Sequence, residues 1–136
     1  MAALEKDVDA IQTCKIHLLD VGPEQYGDCV LCQFGNITVL IDGAHPGNRV
    51  AKEGHPSIPD QIGEILNQQA PYPISLLIVS HAHQDHIGCL PFLIKHNIVR
   101  AKWALVTDPK FGWGRASNED PTDTHLDFNV RQLAAA

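Results

Sequence analysis

Apolar positions alternate with polar ones over several short stretches of the chain and recur at intervals of three and four over others. Alternating faces predict a strand over 15–21, and two strand-length apolar runs over 29–34 and 37–41 are joined by Gly35-Asn36 as a two-residue type II′ hairpin turn. An unbroken apolar run over 74–79 predicts a buried strand. Val99, Ala101, Trp103 and Leu105 alternate with Arg100 and Lys102, as expected of a half-buried strand near a sheet edge. Ile62, Ile65 and Leu66 predict a helix over 60–69 with Asp60 as its N-cap, stopped by Pro71 and Pro73. Ile87, Leu90, Leu93 and Ile94 predict a second helix, starting within 85–88, running through Lys95 and carrying Pro91 in its first turn. A third helix pattern starts at Thr124 with Leu126, Val130 and Leu133. Residues 1–13 read as a polar lead-in. The stretch 44–59, with three prolines and two glycines, and the stretch 107–124, rich in Gly, Pro, Asp and Asn, read as loops. Strands interleaved with helices place the chain in the α/β class, as a single domain over 1–136.

Hydrophobic residues make up 44% and charged residues 19% of the 136 positions, which is ordinary for a globular protein. The formal charge of −6 provides no basic footprint for a phosphate backbone, which leaves nucleic-acid binding undecided, because a bound metal brings its own positive charge. No apolar segment has the length of a signal-peptide core or a membrane span. Cys29 and Cys32 form a C-x-x-C string, but residues three apart on a strand face opposite sides and do not share an ion. With Cys14 and Cys89 they read as reduced thiols of a cytoplasmic protein.

The candidate chemistry lies just past the 74–79 strand, where His81, His83, Asp85 and His86 fall within six residues. In extended backbone His81 and His83 point the same way and can grip one ion, while the turn into the helix carries Asp85 and His86 to a second point nearby. Imidazoles mixed with a carboxylate suit zinc, and iron or manganese where the site stays open to water. Two such ions about 3.5–4 Å apart share a water, lower its pKa and aim it at a carbonyl or phosphoryl group. The competing reading makes Asp85 the N-cap of the following helix and the histidines surface residues. His17 is expected to pack within the sheet, Asp20 to accept backbone N–H groups in a turn, and His45 and His55 to be solvated. Trp113, in the 107–124 loop, either covers a substrate or anchors that loop to the body.

His-Ala-His-Gln-Asp-His over 81–86 resembles the His-x-His-x-Asp-His signature of the metallo-β-lactamase superfamily. His-Leu-Leu-Asp-Val-Gly (17–22), Gly-Asp (27–28) and Thr-Val-Leu-Ile-Asp-Gly (38–43) are similar to the opening hairpin of its competence-type DNA-uptake branch. The resemblance covers about the first 106 residues. It implies an αβ/βα sandwich of which this chain is the N-terminal half, incomplete at its C-terminus. It implies that His81 and His83 hold one zinc ion and Asp85 and His86 a second. It further implies that Asp85 handles a proton, and that Asp42 hydrogen-bonds the metal loop from beneath. The remaining metal ligands of the family belong to the second half. The implied activity is hydrolysis of an ester-like bond by a metal-bridging hydroxide, leaning toward phosphodiesters and thus a nucleotide-like or other small-molecule substrate. The alternatives are an iron-dependent oxygenase of the same superfamily, or an inactive half-fold serving as an assembly module. A half-sandwich exposes an apolar sheet face, so self-association is expected.

Overall fold

The computed structural model describes residues 13–23 and 26–106. The rest of the polar lead-in, the 107–124 loop with Trp113, and the helix pattern from Thr124 lie outside the described residues. Strands β1 (Cys14–Leu18), β2 (Val30–Phe34), β3 (Ile37–Ile41), β4 (Tyr72–Ile78) and β5 (Val99–Leu105) form one sheet in chain order. The first three pair antiparallel and the last three parallel. Local hairpins join the former; the latter need crossovers, supplied by α1 (Ile58–Leu66) and by α2 (Gln84–Ile87) with α3 (Leu90–Lys95). Gly35 turns the β2–β3 hairpin at φ 59, and Asn36 keeps negative φ, as the expected type II′ turn requires.

Register explains which face is covered. Leu31, Leu40 and Leu77 stand opposite one another on neighbouring strands and are fully buried, in one core with Ile58, Ile62, Leu90 and Leu93 from the helices. Each such side chain contributes about 1.5–3 kcal/mol by leaving water. The other face carries two apolar rows, Ile16–Cys32–Val39–Leu76–Trp103 and Leu18–Val30–Ile41–Ile78–Leu105. The ends of these rows stay open to solvent: Ile16 is 65%, Leu18 81%, Trp103 68% and Leu105 61% exposed. This is the open apolar face expected of half a sandwich.

Two helix boundaries differ from expectation. The N-cap of α1 is Ser57, whose Oγ accepts the Asp60 N–H at 3.1 Å and donates to Asp60 Oδ2 at 2.6 Å. Asp60 therefore lies inside the first turn, and Pro59 is tolerated there because its missing N–H would have had no helical partner. The expected single helix over 85–95 is two short ones, broken at Gly88-Cys89, with Pro91 in the first turn of α3. Gly88 is the C-cap of α2, and its close packing on the 44–45 backbone leaves no room for a Cβ there.

Candidate metal centre

Strand β3 ends at Ile41, and its ladder with β4 continues through the Asp42 N–H to the Ile78 carbonyl at 2.9 Å. Asp42 then takes a left-handed conformation, φ 60, which Asp tolerates better than most residues. The turn lays its carboxylate, 3% exposed, beneath the loop that leaves β4. The loop is fastened to it. Asp42 Oδ1 accepts the Ser80 N–H at 2.7 Å, while Oδ2 accepts the Ser80 hydroxyl at 2.6 Å and the His86 Nδ1–H at 2.9 Å.

These bonds set the state of two imidazoles. An ionised carboxylate only accepts, so His86 carries its proton on Nδ1 and keeps a lone pair on Nε2 in the neutral ring. The one hydroxyl hydrogen of Ser80 goes to Asp42, so Ser80 Oγ accepts from His81 Nδ1 at 2.9 Å. His81 thereby also keeps its Nε2 lone pair. Burial, with the neighbouring His86 and His83 rings adding to it, pushes the His81 imidazolium below its usual range and favours the neutral ring. A metal-ligating histidine commonly gives its other nitrogen to a carboxylate or similar group in this way.

The histidines gather around His81, whose ring centroid lies 4.7 Å from that of His83 and 3.8 Å from that of His86. Asp85 Oδ2 lies 3.6 Å from His86 Nε2. Asp85 is inside α2, whose N-cap is His83, so the competing reading of Asp85 as a helix cap does not hold. Among the described residues no group of three or more His, Cys, Asp or Glu side chains is arranged to hold one ion. The donor chemistry, imidazoles with a carboxylate, fits a borderline metal such as zinc.

Backbone contacts hold the loop against the strand ends. Gly43 N–H donates to the His86 carbonyl, and Cys89 N–H donates to the Gly43 carbonyl at 3.0 Å. Cys29 Sγ donates to the Asp42 carbonyl at 3.3 Å and Cys89 Sγ to the His45 carbonyl at 3.2 Å. Burial pushes the Cys89 thiol up to about 12 and the Cys29 thiol higher still, so both remain protonated donors.

Several side chains have roles that sequence reasoning did not assign. Ser80 is the relay between Asp42 and His81, and only the pairing of β3 with β4 reveals it. Asp28, singled out in the sequence only as part of a motif, is exposed with Oδ2 4.0 Å from His86 Nδ1. His45 and His55 are not merely solvated: His45 caps the 3-10 turn Pro46–Arg49, and His55 Nδ1 donates to Asp20 Oδ2 at 2.8 Å. Asp20 accepts the Gly22 N–H at 2.8 Å, as expected of a turn carboxylate. His17 sits half-buried on its strand with Nε2 3.1 Å from Gln33 Oε1, in keeping with a packing role.

Known proteins resemble this chain over part of its length. Over 81 residues the chain is 33% identical to an Integrator complex subunit 11 homolog of Dictyostelium discoideum, covering 59% of this chain and 10% of that protein. Over 91 residues it is 29% identical to the proteins called endoribonuclease ysh1 in Aspergillus fumigatus and Emericella nidulans, covering 66% of this chain and 9% of each of them. The matched region thus spans about a tenth of the length of these curated relatives. The sequence profile of the metallo-beta-lactamase superfamily matches residues 22–130. That match takes in the β2–β3 hairpin, Asp42 and the whole histidine loop, and the five-stranded α/β sheet is consistent with part of that fold: the chain belongs to the metallo-beta-lactamase superfamily.

Proposed function

We propose that the chain carries the first half of a metal-dependent phosphodiesterase site acting on a nucleotide-like strand. The observation that carries this reading is the wiring of Asp42 through Ser80 and His86, which keeps Nε2 lone pairs on His81 and His86. The endoribonuclease name of two relatives supports the choice of phosphodiester. His81 and His83 would hold one ion and Asp85 with His86 a second, zinc in the first instance and iron or manganese as alternatives. The bound metal would lower the pKa of a water and polarise a phosphoryl oxygen. The chain's own part is to fix the imidazole tautomers, to hold the loop against the strand ends, and to place the Asp85 carboxylate where it can take up or release a proton. Among the described residues no helix is long and apolar enough to cross a membrane. Cys14, Cys29, Cys32 and Cys89 are all free thiols.

The test is metal content by plasma mass spectrometry on protein purified without chelator, for the wild type, His83→Ala and Asp85→Ala. Both variants are expected to lose bound zinc, and hydrolysis of an activated phosphodiester is expected to fall at least about 100-fold. Metal content equal to wild type in both variants would remove the site from this loop.

The open sheet face favours a second, compatible role as an assembly surface. Isolated, the chain is expected to self-associate through the Ile16–Trp103 and Leu18–Leu105 rows. Light scattering should report dimers or larger species for the wild type and a monomer for Leu18→Glu/Trp103→Glu. A monodisperse wild-type monomer would rule the association out.

A further inference from the structure

A cavity of ≈ 340 Å³ opens between the turn at 21–23 and the 48–56 segment, away from the histidines themselves. We propose that it is a subsite for one nucleotide unit next to the scissile phosphate, with Lys52 and His55 taking the phosphate. The inference rests on the phosphodiester reading above and adds to it the place where the strand is gripped.

The polar groups of the cavity are held in place. Lys52 and His55 exchange both backbone hydrogen bonds, each 2.9 Å, as an isolated antiparallel bridge closed through Glu53-Gly54. Residues directly opposite in such a pair project to one side, so the ammonium and the imidazole serve the same space. His55 gives Nδ1 to Asp20, which leaves Nε2 as the nitrogen for a ligand and a donor to phosphate oxygen in the doubly protonated ring. Asp20 is a positioning residue and is itself clamped. Buried Gln61 accepts its N–H at 2.7 Å and donates to its carbonyl at 2.8 Å. The His55 hydrogen bond, followed by that from Gly22, holds the Asp20 carboxyl below the usual carboxylate range, so it stays an acceptor. Lys52 makes no ion pair among the described residues, so its charge is available.

The remaining walls decide between a bare anion and a nucleotide. Val21, Pro23, Val50 and Pro56 provide apolar surface suited to the faces of a base. Glu53 also lines the cavity; it opposes an isolated phosphate but accepts from ribose hydroxyls or base N–H groups. The volume is at the lower end of the roughly 300–1,000 Å³ usual for small-molecule sites, which fits a single nucleotide. The wall of the cavity leads toward the histidine loop through its own segment: Asn48, which lines it, lies three residues past His45, whose carbonyl accepts the Cys89 thiol at 3.2 Å.

The experiment is an NMR titration of the histidine ring signals of the full chain, stripped of metal, with adenosine monophosphate and separately with inorganic phosphate. His55→Gln identifies the His55 signal, and Lys102→Ala on β5 is the remote control. The nucleotide is expected to move the His55 signal saturably, phosphate alone to move it far less, and Lys52→Ala to weaken the nucleotide about tenfold. Asp20→Asn is expected to weaken it less, through loss of ring orientation. A His55 signal unmoved by the nucleotide, phosphate matching the nucleotide, or Lys52→Ala titrating like wild type would each overturn the subsite. Binding is read here without metal and hydrolysis separately on the zinc-loaded chain, so saturable nucleotide binding with no phosphodiester hydrolysis in that second assay would defeat the phosphodiester reading and leave the nucleotide site standing.

Discussion

Asp42→Asn is expected to lower zinc affinity about 10- to 100-fold while leaving a folded protein. The side chain is nearly the same size, so the effect comes from proton bookkeeping. Asparagine can still accept the Ser80 N–H with its oxygen, but its NH₂ then faces the Ser80 hydroxyl and His86 Nδ1, where Asp42 offered Oδ2. An NH₂ group donates, so His86 Nδ1 must accept and the ring proton moves to Nε2, the nitrogen a metal needs. Ser80 is reoriented as well, so His81 loses its fixed tautomer. Nitrogen-15 NMR of the ring nitrogens should show His86 changing from the Nδ1–H to the Nε2–H form, in step with the weaker zinc binding. Unchanged affinity with unchanged tautomers would mean that Asp42 does not govern the loop. Asp42→Ala removes the acceptor outright. It is expected to add about 1–3 kcal/mol of destabilisation for each buried donor left without a partner.

Gly88→Ala is expected to be the most destabilising single change. The added carbon meets the Ala44 carbonyl oxygen at 1.6 Å and the His45 carbonyl carbon at 2.8 Å, both backbone atoms that cannot rotate away. Relief requires the α2–α3 break to move off the 44–45 segment. That sacrifices the Gly43–His86 and Cys89–Gly43 hydrogen bonds which hold the loop. A loss of about 4 kcal/mol or more is expected, against a total stability of roughly 5–15 kcal/mol for an ordinary domain. Urea denaturation should show the midpoint falling accordingly, or no folded baseline at all. A midpoint within error of wild type would mean that the two segments do not pack this closely.

The elements legible in the sequence are those whose cause is local. The β2–β3 hairpin is legible as two strand-length apolar runs around one glycine-led turn, and β4 as an apolar run too short for a helix. The histidine loop was legible because four ligand-type residues fall within six positions, and Asp42 because of the resemblance of its stretch to a known hairpin. What escaped depends on distant partners. The glycine ending α2 packs on Ala44, 44 residues earlier, the pairing of His55 with Asp20 spans 35 residues, and Ser80 acquires its role only when β4 lies beside β3. The cap of α1 was misplaced for a different reason. Ser57 and Asp60 are both good caps, and the three-dimensional path of Ile58 and Pro59 decides between them.

The mixed sheet also bears on the order of assembly. Strands β2 and β3 close through a two-residue turn, whereas β4 reaches β3 only after a crossover through α1. Closing the longer loop costs more chain entropy before its contacts form, so the hairpin is expected to precede the parallel pairing. Asp42 is delivered by the first event and Ser80 with its histidines by the second, 38 residues later in the chain. The centre is thus a late product of folding. Metal would be captured by an already closed sheet, unlike the small zinc domains in which the ion itself brings the chain together.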